Sequence, residues 1–140
     1  MNQYHRLYRV AKKYYPQEGG FCSVIATAVA MGCAFGKARS LLYRDAGRRN
    51  KRGPTVQRHL SVMNNNGYDV KRVTVKSKTL ITVQNELANT EGTYFVYTRE
   101  HVTCIQDGVC EDWTNNEQGR RTKYAIRSVY KITKRRKLTC

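Results

Sequence analysis

The sequence predicts an α+β protein with N-terminal helices packed on a C-terminal, mostly antiparallel sheet. Three observations carry this. Apolar residues recur at helical spacing through the first half of the chain. In the second half they alternate or cluster in β-favouring runs. Two of those runs flank Asp107-Gly108, a strong signal for a tight hairpin. Helices first and strands second make an α+β arrangement rather than a doubly wound one. The 140 residues suffice for one domain with one real core. The expected organisation is therefore a single domain over 1–140, with a helical part at 16–66, a sheet part at 68–133 and a basic tail at 134–140.

The elements follow in order. Tyr4, Leu7, Tyr8, Val10 and Ala11 predict a helix over 3–15, ended by Pro16. Glu18-Gly19-Gly20 is a turn, because glycine loses the most backbone entropy in a helix. From Cys22 to about Ala34 the run is small, apolar and almost uncharged, which describes a buried helix. Ala38, Leu41, Leu42 and Ala46 mark a helix over 37–46, stopped by Gly47. Pro54-Thr55 opens another, with Val56, Leu60 and Met63 on one face, up to the turn Asn64-Asn65-Asn66-Gly67. A strand is expected over 68–75, a short helix over 80–88 capped by Thr79, and a strand over 93–98. The hairpin spans 101–106 and 109–113. A polar loop (114–121) and a last strand (123–133) complete the chain.

The central helix carries the chemistry. Cys22 stands at or near its first turn, where unpaired amides and the helix dipole favour a thiolate. A cysteine in an apolar helix serves equally as a small core residue, so Cys22 alone does not choose. The hairpin adds the second argument. With a two-residue turn at Asp107-Gly108, Gln106 pairs with Val109, Ile105 with Cys110 and Thr103 with Asp112. His101 and Asp112 then share a face as diagonal neighbours, and Trp113, Cys104 and Val102 take the other. A carboxylate beside an imidazole fixes its tautomer and leaves the second nitrogen for a nucleophile. The bland alternative is a half-buried strand histidine and a strand-end aspartate.

Gln17 and Cys22 at a helix start, His101 at a strand start and Asp112 on the next strand together resemble the papain-like cysteine peptidases. The likeness is greatest to the compact bacterial and phage branch that includes the leader peptidase domains of bacteriocin exporters, and it covers the order of elements over 16–133. The resemblance implies a papain-like fold and a Cys-His-Asp triad working by acyl transfer through a thioester. It implies Cys22 as nucleophile, His101 as general base, Asp112 as the orienting acid and Gln17 as an oxyanion donor. No cofactor is expected, and the substrate is a protein or peptide, for which the basic charge of the chain hints at an acidic one. Peptidase, amidase, deubiquitinase-like and transglutaminase-like chemistries all remain open within it.

Charge adds a rival reading. Lys and Arg number 26 against 10 Asp and Glu, a formal net charge of +16. Such an excess favours nucleic acid, an acidic protein or an anionic surface. The ten tyrosines could stack on bases. Arg48, Arg49, Lys51 and Arg52, with Lys134, Arg135, Arg136 and Lys137, are the candidate polyanion contacts, or else solvated charge. The alternative function is thus a non-catalytic papain-like binding protein for nucleic acid or an acidic host protein. Compactness and basic charge also fit a phage-encoded protein acting in the host cytoplasm. No apolar run is long enough to span a membrane, and no secretory signal opens the chain, so a cytoplasmic protein with reduced cysteines is expected. No Cys-x-x-Cys or His-x3-His spacing points to zinc, and Gly19-Gly20 is too little for a phosphate loop. It also matches a double-glycine cleavage site, but the simpler reading is the turn that aims Cys22.

Overall fold

A computed structural model describes residues 3–47, 53–99, 101–111 and 125–135. Ten elements form in the order α1 (Gln3–Tyr14), α2 (Cys22–Met31), α3 (Phe35–Ala46), α4 (Val56–Asn65), β1 (Tyr68–Val73), α5 (Leu80–Glu86), β2 (Thr93–Tyr97), β3 (Val102–Gln106), β4 (Val109–Glu111) and β5 (Ser128–Lys134). The strands make one antiparallel sheet in the order β1-β5-β2-β3-β4. The last strand in sequence therefore lies inside the sheet, between the first and second.

Alternation along the strands divides the interior into two cores. Phe95 and Tyr97 of β2, Val102 and Cys104 of β3 and Ile132 of β5 join a core with α1 to α4. Tyr94, Val96, Ile105, Cys110 and Val129 face the other way and pack on Leu80, Val83 and Leu87. β2 is apolar on both faces because both are covered. The sheet is thus a middle layer, with four helices on one side and the short α5 on the other.

Local chemistry explains most boundaries. α2 buries Ser23 through Val29 and ends at Gly32, whose φ of 63° closes the helix with its N–H on Ala28 and Val29 carbonyls. The Thr55 side chain accepts the Arg58 N–H at the head of α4. Thr79 and Thr82 form a reciprocal capping box at α5. The hairpin turn takes positive φ at both Asp107 (49°) and Gly108 (81°), the primed geometry that matches strand twist. A Cβ at Gly108 would stand 2.0 Å from the Ala88 carbonyl oxygen, so only glycine fits.

Several expectations need correcting. α4 turns His59, Val62 and Met63 inward, while Val56 and Leu60 are only half-buried, so its buried face is rotated from the one expected. Tyr8, expected on the inner face of α1, is exposed. β1 stops at Val73 rather than 75. β5 begins at Ser128, well after the expected 123, and runs to Lys134. Trp113 and the loop at 114–121 lie outside the described residues. No single described helix is long and apolar enough to cross a membrane.

A candidate thiol site at the start of α2

The glycine turn delivers Cys22 to the first position of α2, half-buried. Phe21 before it packs edge-on against Phe35, with ring centroids 5.6 Å apart, which sets the entry angle of the helix. The Tyr15–Gly20 turn is held on its other flank by Glu18, which receives both Nε (3.0 Å) and Nη2 of Arg39. The Arg39 guanidinium in turn lies over the rings of Tyr15 and Tyr43, at 4.2 and 4.4 Å.

Cys22 opens into a cavity of about 490 Å³. Gly20 and Ser23 flank it, the start of α4 supplies Gly53, Pro54, Val56 and His59, and the β2–β3 hairpin supplies Tyr97, Thr98, Arg99, His101 and Val102. The hairpin is tight: the His101 carbonyl accepts the Thr98 N–H at 2.8 Å. His101 is buried one position ahead of β3, where strand alternation no longer dictates its direction. Among the described lining residues Arg99 is the cation, and none is acidic.

The structure thus brings Cys22 and His101 to one cavity. The register that motivated Asp112 is borne out over three pairs: Gln106 with Val109, Ile105 with Cys110 and Cys104 with Glu111. Asp112 itself lies outside the described residues. Gln17 is not brought to the site. Its side chain is exposed, and it does not line the cavity. The turn that carries it is fastened by Glu18 to α3, and no residue of α3 lines the cavity either.

A second histidine was missed by sequence reasoning. His59 is 1 % exposed and stacks on Phe95, with centroids 4.8 Å apart. Its Nε2 lies 2.7 Å from Thr27 Oγ1, and its Nδ1 lies 2.7 Å from the Tyr97 hydroxyl. The single Thr27 hydroxyl proton goes to the Ser23 carbonyl at 2.7 Å. Thr27 must then accept from Nε2–H, so Nδ1 accepts the Tyr97 proton. One chain of donors runs from Tyr97 through His59 and Thr27 to the first turn of α2. Burial pushes His59 down to about 4, so it stays neutral at ordinary pH. Burial first, then Tyr130, Cys22 and Cys104 nearby, raise the Tyr97 phenol above its ordinary value. His59 is a brace, with both ring nitrogens taken. The usable signal was its spacing, three residues after Val56 and four before Met63.

Ser23, beside Cys22, is 4 % exposed, and among the described residues its Oγ has no hydrogen-bond partner. Gly53 approaches so closely that a Cβ there would sit 3.2 Å from this oxygen. The expected polyanion contacts fare unevenly. Arg48, Arg49, Lys51, Arg52, Arg136 and Lys137 lie outside the described residues. Lys134 is exposed at the end of β5. Arg135 is engaged locally: its guanidinium donates to the Asn64 carbonyl (2.6 Å), Asn64 Oδ1, the Tyr68 carbonyl and Asp69 (3.1 Å). It ties the end of α4 to β1. Among the described residues no group of three or more His, Cys, Asp or Glu side chains could hold a metal ion.

No family model matches the chain, and no curated protein or solved structure matches it either.

Proposed function

We propose that this protein is a cysteine hydrolase of papain-like design, a peptidase in the first instance, acting in the cytoplasm where its thiol stays reduced. The supporting observation is that Cys22, at the head of a buried helix, and His101, at the head of β3, share the walls of one cavity although they are far apart in the chain. His59, the other histidine of that cavity, is committed at both nitrogens, which leaves His101 as the base.

The chemistry follows from the residues. His101 takes the Sγ proton, and the thiolate adds to the scissile carbonyl. The Cys22 backbone amide, at the first position of α2, faces the developing oxyanion. The C–N bond breaks as the imidazolium returns its proton to the leaving amine. A water activated by the same imidazole then cleaves the thioester and restores the thiol. Asp112, which lies outside the described residues, is the group proposed to orient His101. Gln17 has no part in this account.

The test is iodoacetamide labelling as a function of pH, read cysteine by cysteine by mass spectrometry. An activated Cys22 labels well below the ordinary thiol pKa of about 8.5, and His101→Ala moves that dependence upward. If Cys22 titrates like an ordinary thiol and is indifferent to His101, the hydrolase reading is wrong. A basic binding protein is then the better description, and its binding should fall steeply with salt.

A further inference from the structure

We infer that a second, basic cleft beside the thiol cavity binds the acidic segment of a peptide substrate. This deepens the hydrolase reading and rests on it for the cleavage step, but not for the binding.

The cleft, about 410 Å³, lies between the end of β1 with its following loop and the segment entering β5. Arg72, Lys78 and Arg127 stand on its walls, all exposed, and none of the described lining residues is a carboxylate. Arg39, Arg44 and Arg135 each pair with an acidic residue. Arg72, Lys78 and Arg127 have no such ion pair among the described residues. Asp69, just before Arg72 in the chain, is taken by Arg135, and Glu86 is committed to the Lys76 and Ser77 amides and the Ser77 hydroxyl. Three like charges lining one concavity repel each other, and the apolar walls of Val73, Val75 and Ile126 sharpen their field. A ligand with spaced negative charges relieves that repulsion.

The frame of the cleft is rigid. The Ile126 N–H donates to the Lys78 carbonyl at 3.0 Å, and Thr79 bridges Ala125. It also adjoins the thiol cavity. Tyr97, which lines that cavity, sits opposite Ser128, which lines the cleft, and its carbonyl accepts the Arg127 N–H at 2.8 Å. Arg99 continues the positive track into the cavity itself. A chain seated in the cleft has the thiol cavity as its neighbour. The occupant is a peptide rather than a single-stranded nucleic acid, because none of the described lining residues is aromatic to stack on bases, whereas its cations match spaced carboxylates.

The test uses full-length Cys22→Ala protein, so that nothing is turned over, and fluorescence anisotropy of a labelled peptide with alternating Glu. A matched Gln peptide and an oligothymidine of equal charge serve as comparators. The Glu peptide should bind, and the combined Arg72→Gln, Lys78→Gln and Arg127→Gln changes should weaken it roughly tenfold or more. The same loss of charge at Arg6, Arg9 and Lys13 on α1 should leave it almost unchanged. Arg127→Glu alone should weaken the Glu peptide further than Arg127→Gln does. Equal weakening by the α1 changes, or tighter oligothymidine binding that depends on the same three residues, overturns the inference. Labelling of Cys22 in the otherwise native chain is read separately. A reactive Cys22 with no Glu-peptide binding sinks only the cleft, and an inert Cys22 with intact binding sinks only the hydrolase.

Discussion

The two ends of α2 carry a cysteine each, and their settings differ. Cys22 occupies the first position of the helix and opens on a cavity shared with His101. Cys33 follows the Gly32 cap, its N–H bound to the Ala28 carbonyl at 3.1 Å. Both are half-buried. At Cys33 burial raises the thiol above its ordinary value, against a smaller opposing pull from Lys37. The C-terminus of α2 disfavours an anion there, while the Cys33 and Ala38 amides at the head of α3 pull the other way without overcoming burial. The two thiols are equally exposed but have different neighbours, and equal exposure does not make them chemically equal.

The comparison breaks most easily at the thiols themselves. Cys22→Ala should reduce peptide hydrolysis by about a thousandfold or more, whereas Cys33→Ala should leave turnover within about twofold and cost only a little packing. Comparable losses from both, measured as kcat/KM on the same peptide, would show that position on the helix does not matter.

The next effect belongs to the brace behind Cys22. His59 has a folded value near 4 against an unfolded one near 6.5. Above pH 6.5 both states are neutral. As pH falls through the window between 6.5 and 4, the unfolded chain takes up a proton that the folded chain refuses, so stability drops by about 3 kcal/mol. Urea unfolding at pH 7 and pH 4.5 should show this slope in wild type and a shallower one in His59→Gln. Identical slopes would mean that His59 is not held neutral.

Smaller changes sharpen the picture. Tyr97→Phe removes the proton donated to His59 Nδ1 and leaves a buried acceptor unsatisfied, costing about 1–2 kcal/mol. At the opposite end, Gly32→Ala forces a side chain into the left-handed region at φ 63°, costing about 1 kcal/mol by strain alone, since nothing lies within 4 Å of the added Cβ. Smallest of all, Ser23→Ala deletes a buried hydroxyl without a partner among the described residues and should be neutral or stabilising by under ~1 kcal/mol. A clear loss of stability there would reveal a hydrogen bond to bound water. Thermal or urea midpoints decide all three.

How far the sequence could be read depended on the kind of pattern involved. Most of the buried face of α3 was legible, because Ala38, Leu41, Leu42 and Ala46 leave no competing stripe, but the helix begins earlier than expected, at Phe35, which is buried too. The hairpin register was legible because Asp-Gly demands a two-residue turn and alternation does the rest. α4 was misread by rotation. Val56, Leu60 and Met63 look like a face, but the helix turns His59 inward because Thr27 and Tyr97 wait there to satisfy it. Periodicity weighs apolar residues and does not see a histidine whose polarity is cancelled by partners distant in sequence. Gln17 failed for a related reason: spacing from Cys22 does not say where a turn points once Glu18 is anchored to Arg39.

Local features could be read from the amino acids alone: helix and strand identity, the glycine turn that starts α2 at Cys22, the caps at Thr55 and Thr79, and the Asp107-Gly108 register. These depend on neighbours within a few positions, where backbone sterics and short hydrogen bonds decide the outcome. Only the tertiary structure decided that β5 inserts between β1 and β2, and that α5 covers the far face of the sheet. It alone brought Cys22 and His101 to one cavity, with His59 braced behind it and a basic cleft alongside. Those arrangements come from burying apolar area, which is non-directional and tells a strand that it must be covered but not by what.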